Sequence, residues 1–286
     1  MVSLLWKRKL IILIGLFLLL SGSQDIAQAA PPDQRPPDLY RQEAKPDLQV
    51  NSGGYRLGDL PSAPELYPPK LPPSSVSSQG LPALVDHTNL VPPVRSQGSQ
   101  GSCVAWATGY YYKSFHEALQ YGWTLSDVNH QFSPAFLYNQ RLNDKCQMDD
   151  GWSLGSAMWM LQQKGDVSLV SFPYNENDTC SQPLSNQLQA AAEYRAADFG
   201  AFFINNRDNT GSYVNELAPL KQELASGNII VFSIPTYDEF DYLNNITPPF
   251  SCVMDVPNPS STKRGNHAVA IIEGWTRKSW LRVGYE

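Results

Sequence analysis

The order of the predicted elements along the chain indicates an α+β fold with two lobes. In the region from residue 81 onwards, helical patterns of apolar residues come first and strand-like runs come later. Helices followed by strands, rather than helices alternating with strands, are typical of α+β proteins. The sequence shows no internal repeat. We therefore expect a helical lobe followed by an antiparallel sheet lobe.

Residues 1–29 have the pattern of a secretory signal peptide. Basic residues 7–9 precede the apolar run 10–20, and Ala27-Gln28-Ala29 supplies the small-x-small cleavage pattern. An uncleaved anchor helix is the alternative for this stretch, although the apolar run is short for a membrane span. We expect cleavage, a product outside the cytoplasm, and no stable membrane insertion afterwards.

Residues 30–80 are dense in proline and serine and contain few large apolar residues, with breaker clusters such as Pro36-Pro37 and Pro72-Pro73. Such a segment buries too little apolar surface to offset the entropy that is lost on ordering. We expect a flexible linker or a short pro-segment here, followed by one compact domain over residues 81–286.

The predicted helices begin at residues that favour helix starts and end at glycines. Ser133 and Pro134 supply a cap and a first-turn proline, while Gly122 and Gly165 each follow a helical pattern. Helices are predicted at residues 103–121, 133–138, 153–164 and 184–196, with shorter ones at 213–225 and 236–243. Strand-like runs cover residues 200–204, 228–234, 267–275 and 280–283.

A glycine-rich turn delivers a cysteine to the first turn of the first predicted helix. Gly98 and Gly101 allow the chain to bend sharply just before Cys103. A thiol at a helix N-terminus faces unpaired N–H groups and the positive end of the helix dipole, which favour the nucleophilic thiolate. Cys103 is therefore the candidate nucleophile, and the alternatives are a buried structural cysteine or one half of a disulfide.

The candidate partner of this thiol lies far downstream in the sequence. His267 stands where a polar turn gives way to a β-branched run, so we expect it at the mouth of a strand. The other histidines fit less well, because His87 lies in a lead-in segment, His116 in mid-helix and His130 in a polar loop. Cys103 and His267 are the parts of a thiolate–imidazolium pair.

The residues around these two side chains resemble the papain-like cysteine peptidases. The likeness is carried by Gln97, six residues before Cys103, by the Gly-Ser-Cys-x-Ala-Trp-Ala run that ends at residue 107, and by Asn-His-Ala-Val at 266–269. It extends from about residue 81 to residue 275. Gln100 and Val104 replace a cysteine and an aromatic residue of the family signature, so the chain resembles a divergent branch. The lead-in at 84–95 resembles bacterial members.

This resemblance implies a papain-like two-lobe fold, with the cysteine on the helical lobe and the histidine on the sheet lobe. Cys103 would attack a peptide carbonyl, His267 would act as general base and acid, and the Gln97 amide would hold the oxyanion. The implied protein is a secreted endopeptidase, a monomer that acts on peptide or protein substrates and has no metal or organic cofactor.

The resemblance also assigns four substrate-binding residues. Gly151 and Trp152 match the glycine-containing segment that pairs with the substrate backbone, while Asn266 and Ala268 border the pocket for a side chain just before the scissile bond. Ordinary turn and strand packing is the alternative for all four.

Residues 30–80 lack the long amphipathic helix of many family propeptides, which leaves an extended strand across the cleft as another form of latency.

The C-terminal residues depart from the family pattern. The family orients its histidine with the asparagine of an Asn-Ser-Trp motif, whereas this chain has Lys278-Ser279-Trp280 and ends at Glu286. We therefore expect a truncated chain with an incomplete sheet lobe, and the alternatives are a chain altered at its C-terminus and a pseudoenzyme. The alternative function is a catalytically weak or inactive papain-like domain that binds peptide or a cell-surface polymer, and a related thiol acyl-transfer enzyme is a third.

The remaining cysteines and the net charge add two expectations. Cys146 and Cys180 flank the third predicted helix, and in a secreted chain we expect them to form a disulfide with each other, which leaves Cys252 over. A metal site is the rival, but no neighbouring histidine pair supports it. The formal net charge of −6 provides no basic footprint for a nucleic acid.

Overall fold

The helical lobe is built around one long helix that begins at Cys103. The helix consists of an α-helical turn, Cys103–Ala105, a π-helical stretch, Trp106–Lys113, and an α-helix, Ser114–Tyr121. It ends at Gly122, whose φ of +68° lies in the left-handed region that a glycine adopts without a Cβ clash. These segments, residues 103–121, are called the central helix below.

The computed structural model describes residues 56–62, 80–141, 149–200, 217–238, 240, 260–275 and 281–284. All of them belong to one unit, Asp38–Glu286. The predicted signal peptide at 1–29, most of the predicted linker and nearly all of the predicted strand at 200–204 lie outside the described residues. No helix in the described ranges is long and apolar enough to cross a bilayer.

The next helices begin where the sequence predicts them, because serine side chains cap their first turns. Ser133 Oγ accepts the backbone N–H of Phe136, and Ser153 Oγ accepts that of Ser156. These helices are Pro134–Tyr138 and Leu154–Gln163, and Ser185–Ala191 follows them. Shorter 3₁₀ turns are Thr88–Leu90, Val128–His130 and Ala192–Tyr194.

Aromatic side chains fill the core of the helical lobe. Tyr110 and Phe115 of the central helix and Phe136 and Tyr138 of the next helix are fully buried. Removing such large side chains from water is the main source of stability for a lobe of this size. Cys103 belongs to the same buried cluster as Phe136 and Tyr138, so the packing of the whole lobe fixes the start of the central helix.

The strands of the structure are β1 (Asp59–Leu60), β2 (Leu84–Asp86), β3 (Trp152–Ser153), β4 (Ile230–Tyr237), β5 (Lys263–Trp275) and β6 (Leu281–Gly284). In the sheet lobe β5 is the middle strand, and β2, β4 and β6 all pair with it in antiparallel orientation. The helix Leu217–Ala225 packs Leu220 and Leu224 against Ile230 and Ile271 of this sheet. The predicted helical lobe followed by an antiparallel sheet is therefore confirmed.

The prediction of a helix from residue 236 to residue 243 is wrong at its start. Thr236 pairs with Gly265 and Tyr237 pairs with Lys263, so both residues extend β4. A β-branched and an aromatic residue fit a pleated surface better than the first turn of a helix. Residues 239 and 241–243 of the predicted helix lie outside the described residues.

Candidate active site

Cys103 is placed at the N-terminal end of the central helix, as the sequence predicts. The backbone N–H of Trp106 bonds to the carbonyl of Ser102, which begins the helix, and Gly98 bends the preceding turn with a φ of +61°. Cys103 is 1% exposed and is not part of a disulfide. Its thiol thus lies beside the positive end of a helix dipole, which stabilises a thiolate.

The turn before Cys103 is anchored by a carboxylate. The backbone N–H of Gly101 donates to both oxygens of Asp149, at 2.9 and 3.1 Å, and the Tyr138 hydroxyl donates to the same carboxylate at 2.6 Å. Tyr138 is buried beneath this contact. Asp149 is therefore held in a fixed orientation next to the residue that lies two positions before the candidate nucleophile.

A tyrosine anchors the same turn from the other side. The Tyr174 hydroxyl donates to the carbonyl of Gln97 at 2.7 Å and shares a hydrogen bond of 2.7 Å with the Ser102 hydroxyl. Its ring also contacts Trp106 edge to face. Gln97 and Cys103 are thus held at a fixed separation by contacts at both ends of the turn.

The Gln97 side chain is 2% exposed, and its amide is already occupied by backbone carbonyls. Nε2 donates to the carbonyl of Gln100 at 2.8 Å and to the carbonyl of Arg56 at 2.8 Å. Arg56 lies in the segment that the sequence predicts as a linker or pro-segment. A side-chain amide beside the first turn of the cysteine helix therefore holds a peptide carbonyl of the chain itself.

His267 lies on β5, opposite Ile234 of β4, and its ring meets the ring of Phe240 edge to face with centroids 5.6 Å apart. The pKa of His267 is lowered to about 4, because the surrounding protein removes water from the ring and disfavours its charged form. Nδ1 is enclosed and has no hydrogen-bond partner among the described residues. The imidazole is thus neutral in this state of the molecule.

The strand that carries His267 packs against the first turn of the central helix. Cys103, Trp152 and Ala268 belong to one buried apolar cluster, so three residues singled out from distant parts of the sequence share the same core. Asn266 pairs with Pro235 of β4 and is half-buried. The structure therefore brings the predicted helix start and the predicted histidine strand into one region.

Residues 56–62, called the covering segment below, lie across this region. The backbone N–H of Trp152 donates to the carbonyl of Gly58 at 2.7 Å, and β1 continues from there in parallel with β3. A Cβ on Gly58 would come within 1.9 Å of the Gly101 oxygen, and one on Gly151 within 2.3 Å of the Gly58 oxygen. The chain thus passes backbone against backbone between two glycines of the site.

Two further residues tie the covering segment down. Leu57 is 3% exposed and faces Gly265 of β5. Asp59 is equally inaccessible and accepts a hydrogen bond from the Ser233 hydroxyl on β4. Burial raises the pKa of Asp59 to about 7, against the opposing effect of that hydrogen bond. The segment therefore contacts both lobes.

Several residues of this region were not predicted from the sequence. Arg56, Asp59, Asp149 and Tyr174 belong to no motif, and each acts through partners that are distant in the chain. The position of Asp149 two residues before Gly151 is the only local hint.

Other predicted features lie partly or wholly outside the described residues. Cys146 lies outside them, so its disulfide with Cys180 stays a prediction. Cys252 and the run Lys278-Ser279-Trp280 also lie outside the described residues. Within the described ranges, no group of three or more His, Cys, Asp or Glu side chains is placed to hold a metal ion.

Comparisons with known proteins agree with this arrangement at the level of the fold. No protein-family model matches the chain, and no curated protein matches its sequence. Among solved structures, xylellain, a cysteine protease from Xylella fastidiosa, has a TM-score of 0.64 at 20% sequence identity, covering 83% of this chain and 85% of that one.

Two further solved structures resemble the chain. The proCathepsin B S9 of Trypanosoma congolense has a TM-score of 0.51 at 16% identity, covering 82% of this chain and 76% of its own. Recombinant stem bromelain precursor has a TM-score of 0.50 at 17% identity, with coverages of 81% and 68%. The chain therefore has the α+β fold of papain-like cysteine proteases.

Proposed function

We propose that the protein is a secreted cysteine endopeptidase in a latent form, with residues 30–80 as its pro-segment. The observation that carries the proposal is the hydrogen bond from the Gln97 side-chain amide to the carbonyl of Arg56. A buried amide that holds a peptide carbonyl beside a helix N-terminal cysteine is the environment that an oxyanion requires. The covering segment occupies the place where the carbonyl of a substrate would bind.

In the proposed reaction the Cys103 thiolate attacks the carbonyl carbon of a peptide bond. The C–N bond then breaks, His267 gives its proton to the leaving amine, and a thioester remains on Cys103. Water attacks the thioester while His267 accepts a proton, which releases the acid and restores the thiolate. The Gln97 amide and the Cys103 backbone N–H stabilise the negative oxygen in both steps.

The covering segment would also switch off the nucleophile. A histidine whose pKa lies near 4 is uncharged at neutral pH and provides no imidazolium to stabilise a thiolate. Leu57 of the segment packs on Gly265, two residues before His267. Displacement of the segment would let water reach the ring, and we expect the pKa of His267 to move back towards its ordinary value of 6.5.

The proposal is tested by hydrolysis of a fluorescently labelled, unfolded protein by the full chain and by its Cys103→Ala variant. The wild type is expected to release peptides, at first slowly and then faster if the pro-segment is itself cleaved, and the variant is expected to release none. Cleavage by the Cys103→Ala variant at the wild-type rate would contradict the proposal.

One observation favours the second candidate, a weak or inactive papain-like domain that binds peptide in the same cleft. The buried Nδ1 atom of His267 has no hydrogen-bond partner among the described residues, so none of them holds the imidazole by a hydrogen bond at that nitrogen. Under this alternative, peptides bind the chain without being cleaved, and a peptidyl epoxide that reacts with activated cysteines does not label Cys103.

The expected disulfide between Cys146 and Cys180 belongs to the same proposal, because it presupposes an oxidising compartment. Peptide mapping without reduction tests it. A peptide pair joined through these two cysteines is expected, and free thiols at both positions in protein exported by its host would contradict it.

A further inference from the structure

Asp149 and Arg56 form an ion pair at the edge of the candidate active site. One guanidinium nitrogen of Arg56 lies 2.7 Å from Oδ2 of Asp149 and 3.2 Å from the backbone carbonyl oxygen of the same residue. The Asp149 side chain is 18% exposed and that of Arg56 is 36% exposed. A carboxylate and a carbonyl oxygen from one residue thus converge on a single cationic side chain.

The carboxylate is held in place before any cation binds it. Its oxygens accept the Gly101 N–H and the Tyr138 hydroxyl, both of which come from the helical lobe. A charge that is already oriented loses little conformational entropy when a guanidinium or an ammonium group binds. The neighbouring Asp150 has a cation of its own, since it lies 3.6 Å from the buried Arg141.

The same arginine also supplies the carbonyl that the Gln97 amide holds. A residue whose carbonyl binds at Gln97 therefore has its side chain within reach of Asp149. In a substrate, the carbonyl that takes this place is the one attacked by Cys103, and it belongs to the residue just before the scissile bond.

We propose that Asp149 makes the enzyme select arginine or lysine at the residue just before the scissile bond. This proposal rests on the proposed peptidase function, and Arg56 is the chain's own occupant of the subsite. Arginine is expected to bind better than lysine, because a guanidinium is more weakly hydrated than an ammonium group and is always charged. A neutral side chain would leave the exposed part of the carboxylate with water as its only partner.

The test compares peptide-aminocoumarin substrates that differ only in their last residue, arginine or its uncharged isostere citrulline. With full chain whose active sites have been counted by covalent titration, we expect kcat/KM for the arginine peptide to be at least about 10-fold higher, as for a charge-assisted hydrogen bond. In Asp149→Asn the ratio is expected to fall to near one, while the matched variant Asp150→Asn keeps it. A wild-type ratio near one overturns the proposal even if Asp149→Asn does not fold.

A binding measurement separates failure of the subsite from failure of the proposed function. The same two peptides, labelled with a fluorophore, are titrated into Cys103→Ala, and anisotropy is expected to show about 10-fold tighter binding of the arginine peptide. Selective binding of the arginine peptide without turnover by the wild type would support the subsite and contradict the peptidase function. Turnover without arginine selectivity in either assay would support the peptidase function and contradict the subsite.

Discussion

Gln97 links the turn before Cys103 to the covering segment, because its side chain contacts both. Its amide donates to Gln100 and to Arg56, and its backbone carbonyl accepts the Tyr174 hydroxyl. A glutamine with a merely structural role would need only the contacts within its own turn. The additional contact, to the carbonyl of Arg56 in the covering segment, is the one that supports the proposed oxyanion site.

Replacement of Gln97 by alanine is expected to lower kcat about 100-fold, because the alanine cannot stabilise the negative oxygen of the tetrahedral intermediate. Alkylation of Cys103 by iodoacetamide forms no such intermediate, so its rate is not expected to fall. The matched control is Gln162→Ala, whose side chain donates to the carbonyl of Ala197 at the surface. Parallel loss of hydrolysis and alkylation in Gln97→Ala would indicate a damaged turn instead.

Asp59 makes the attachment of the covering segment depend on pH. Its pKa in the folded state is about 7, above the ordinary 3.8, so the neutral carboxyl is the form that the attached segment prefers. The stability that this group contributes is complete below its ordinary pKa and is lost as the pH rises through about 7. The segment is therefore held more firmly in acid than at alkaline pH.

The unfolded chain ionises this carboxyl near pH 3.8, whereas the folded chain holds the proton up to about pH 7. We therefore expect this carboxyl to lower the melting temperature of the full chain between about pH 4 and pH 7, with a loss of at most about 1.4 kcal/mol per pH unit, and to add no further fall above that range. Asp59→Asn keeps a neutral hydrogen-bonding group of similar shape and is expected to flatten the fall. Thermal denaturation of both proteins over this range measures the difference. Identical slopes would show that Asp59 does not titrate in the attached segment.

At the level of secondary structure, the covering segment and β3 form a short parallel pair that depends on glycine. Gly58 passes so close to Gly101 that a Cβ would lie 1.9 Å from the carbonyl oxygen of the latter. Backbone cannot move aside as a flexible side chain can, so a larger residue at position 58 must displace the segment.

Gly58→Ala is therefore expected to increase the rate at which a peptidyl epoxide labels Cys103 by about 10-fold or more, as for the loss of more than 1.4 kcal/mol of attachment. Gly80→Ala is the control, since a Cβ there meets nothing within 4 Å. Labelling is read by mass spectrometry of the intact chain. An unchanged rate in Gly58→Ala would mean that the segment does not restrict access to Cys103.

Across the whole molecule, the parts predicted from the sequence are those with a local signal. The Gln97–Cys103 spacing, the capping serine at 133, the helical pattern from 153 and the β-branched run after His267 each reflect chemistry within a few residues, and the structure places helices and strands there. The Cys103–His267 pairing and the substrate-binding roles of Gly151, Trp152, Asn266 and Ala268 stay predictions.

The contacts that the sequence did not predict join residues far apart in the chain. Arg56 and Asp149 are 93 positions apart, and Asp59 and Ser233 are 174 apart. Neither pair has a periodicity or a spacing that marks it, because long-range contacts depend on the packing of the completed fold. The proline-rich composition around the covering segment indicated a flexible chain, whereas Gly58 and Leu57 pack this segment against Gly101 and Gly265.

We infer that Cys103 and His267 act as one ionised pair once the covering segment is displaced. The rate at which iodoacetamide alkylates Cys103 as a function of pH, in the wild type, in His267→Ala and in the control His130→Ala, tests this inference. Labelling proceeds through the open fraction of molecules, and Asp59 makes that fraction vary with pH in the same way in all three proteins, so the difference between their pH profiles reports the thiol. Near pH 6 we expect the wild type and His130→Ala to react at least about 10-fold faster than His267→Ala. Profiles that rise together with an ordinary cysteine pKa of about 8.5 in all three proteins would contradict it.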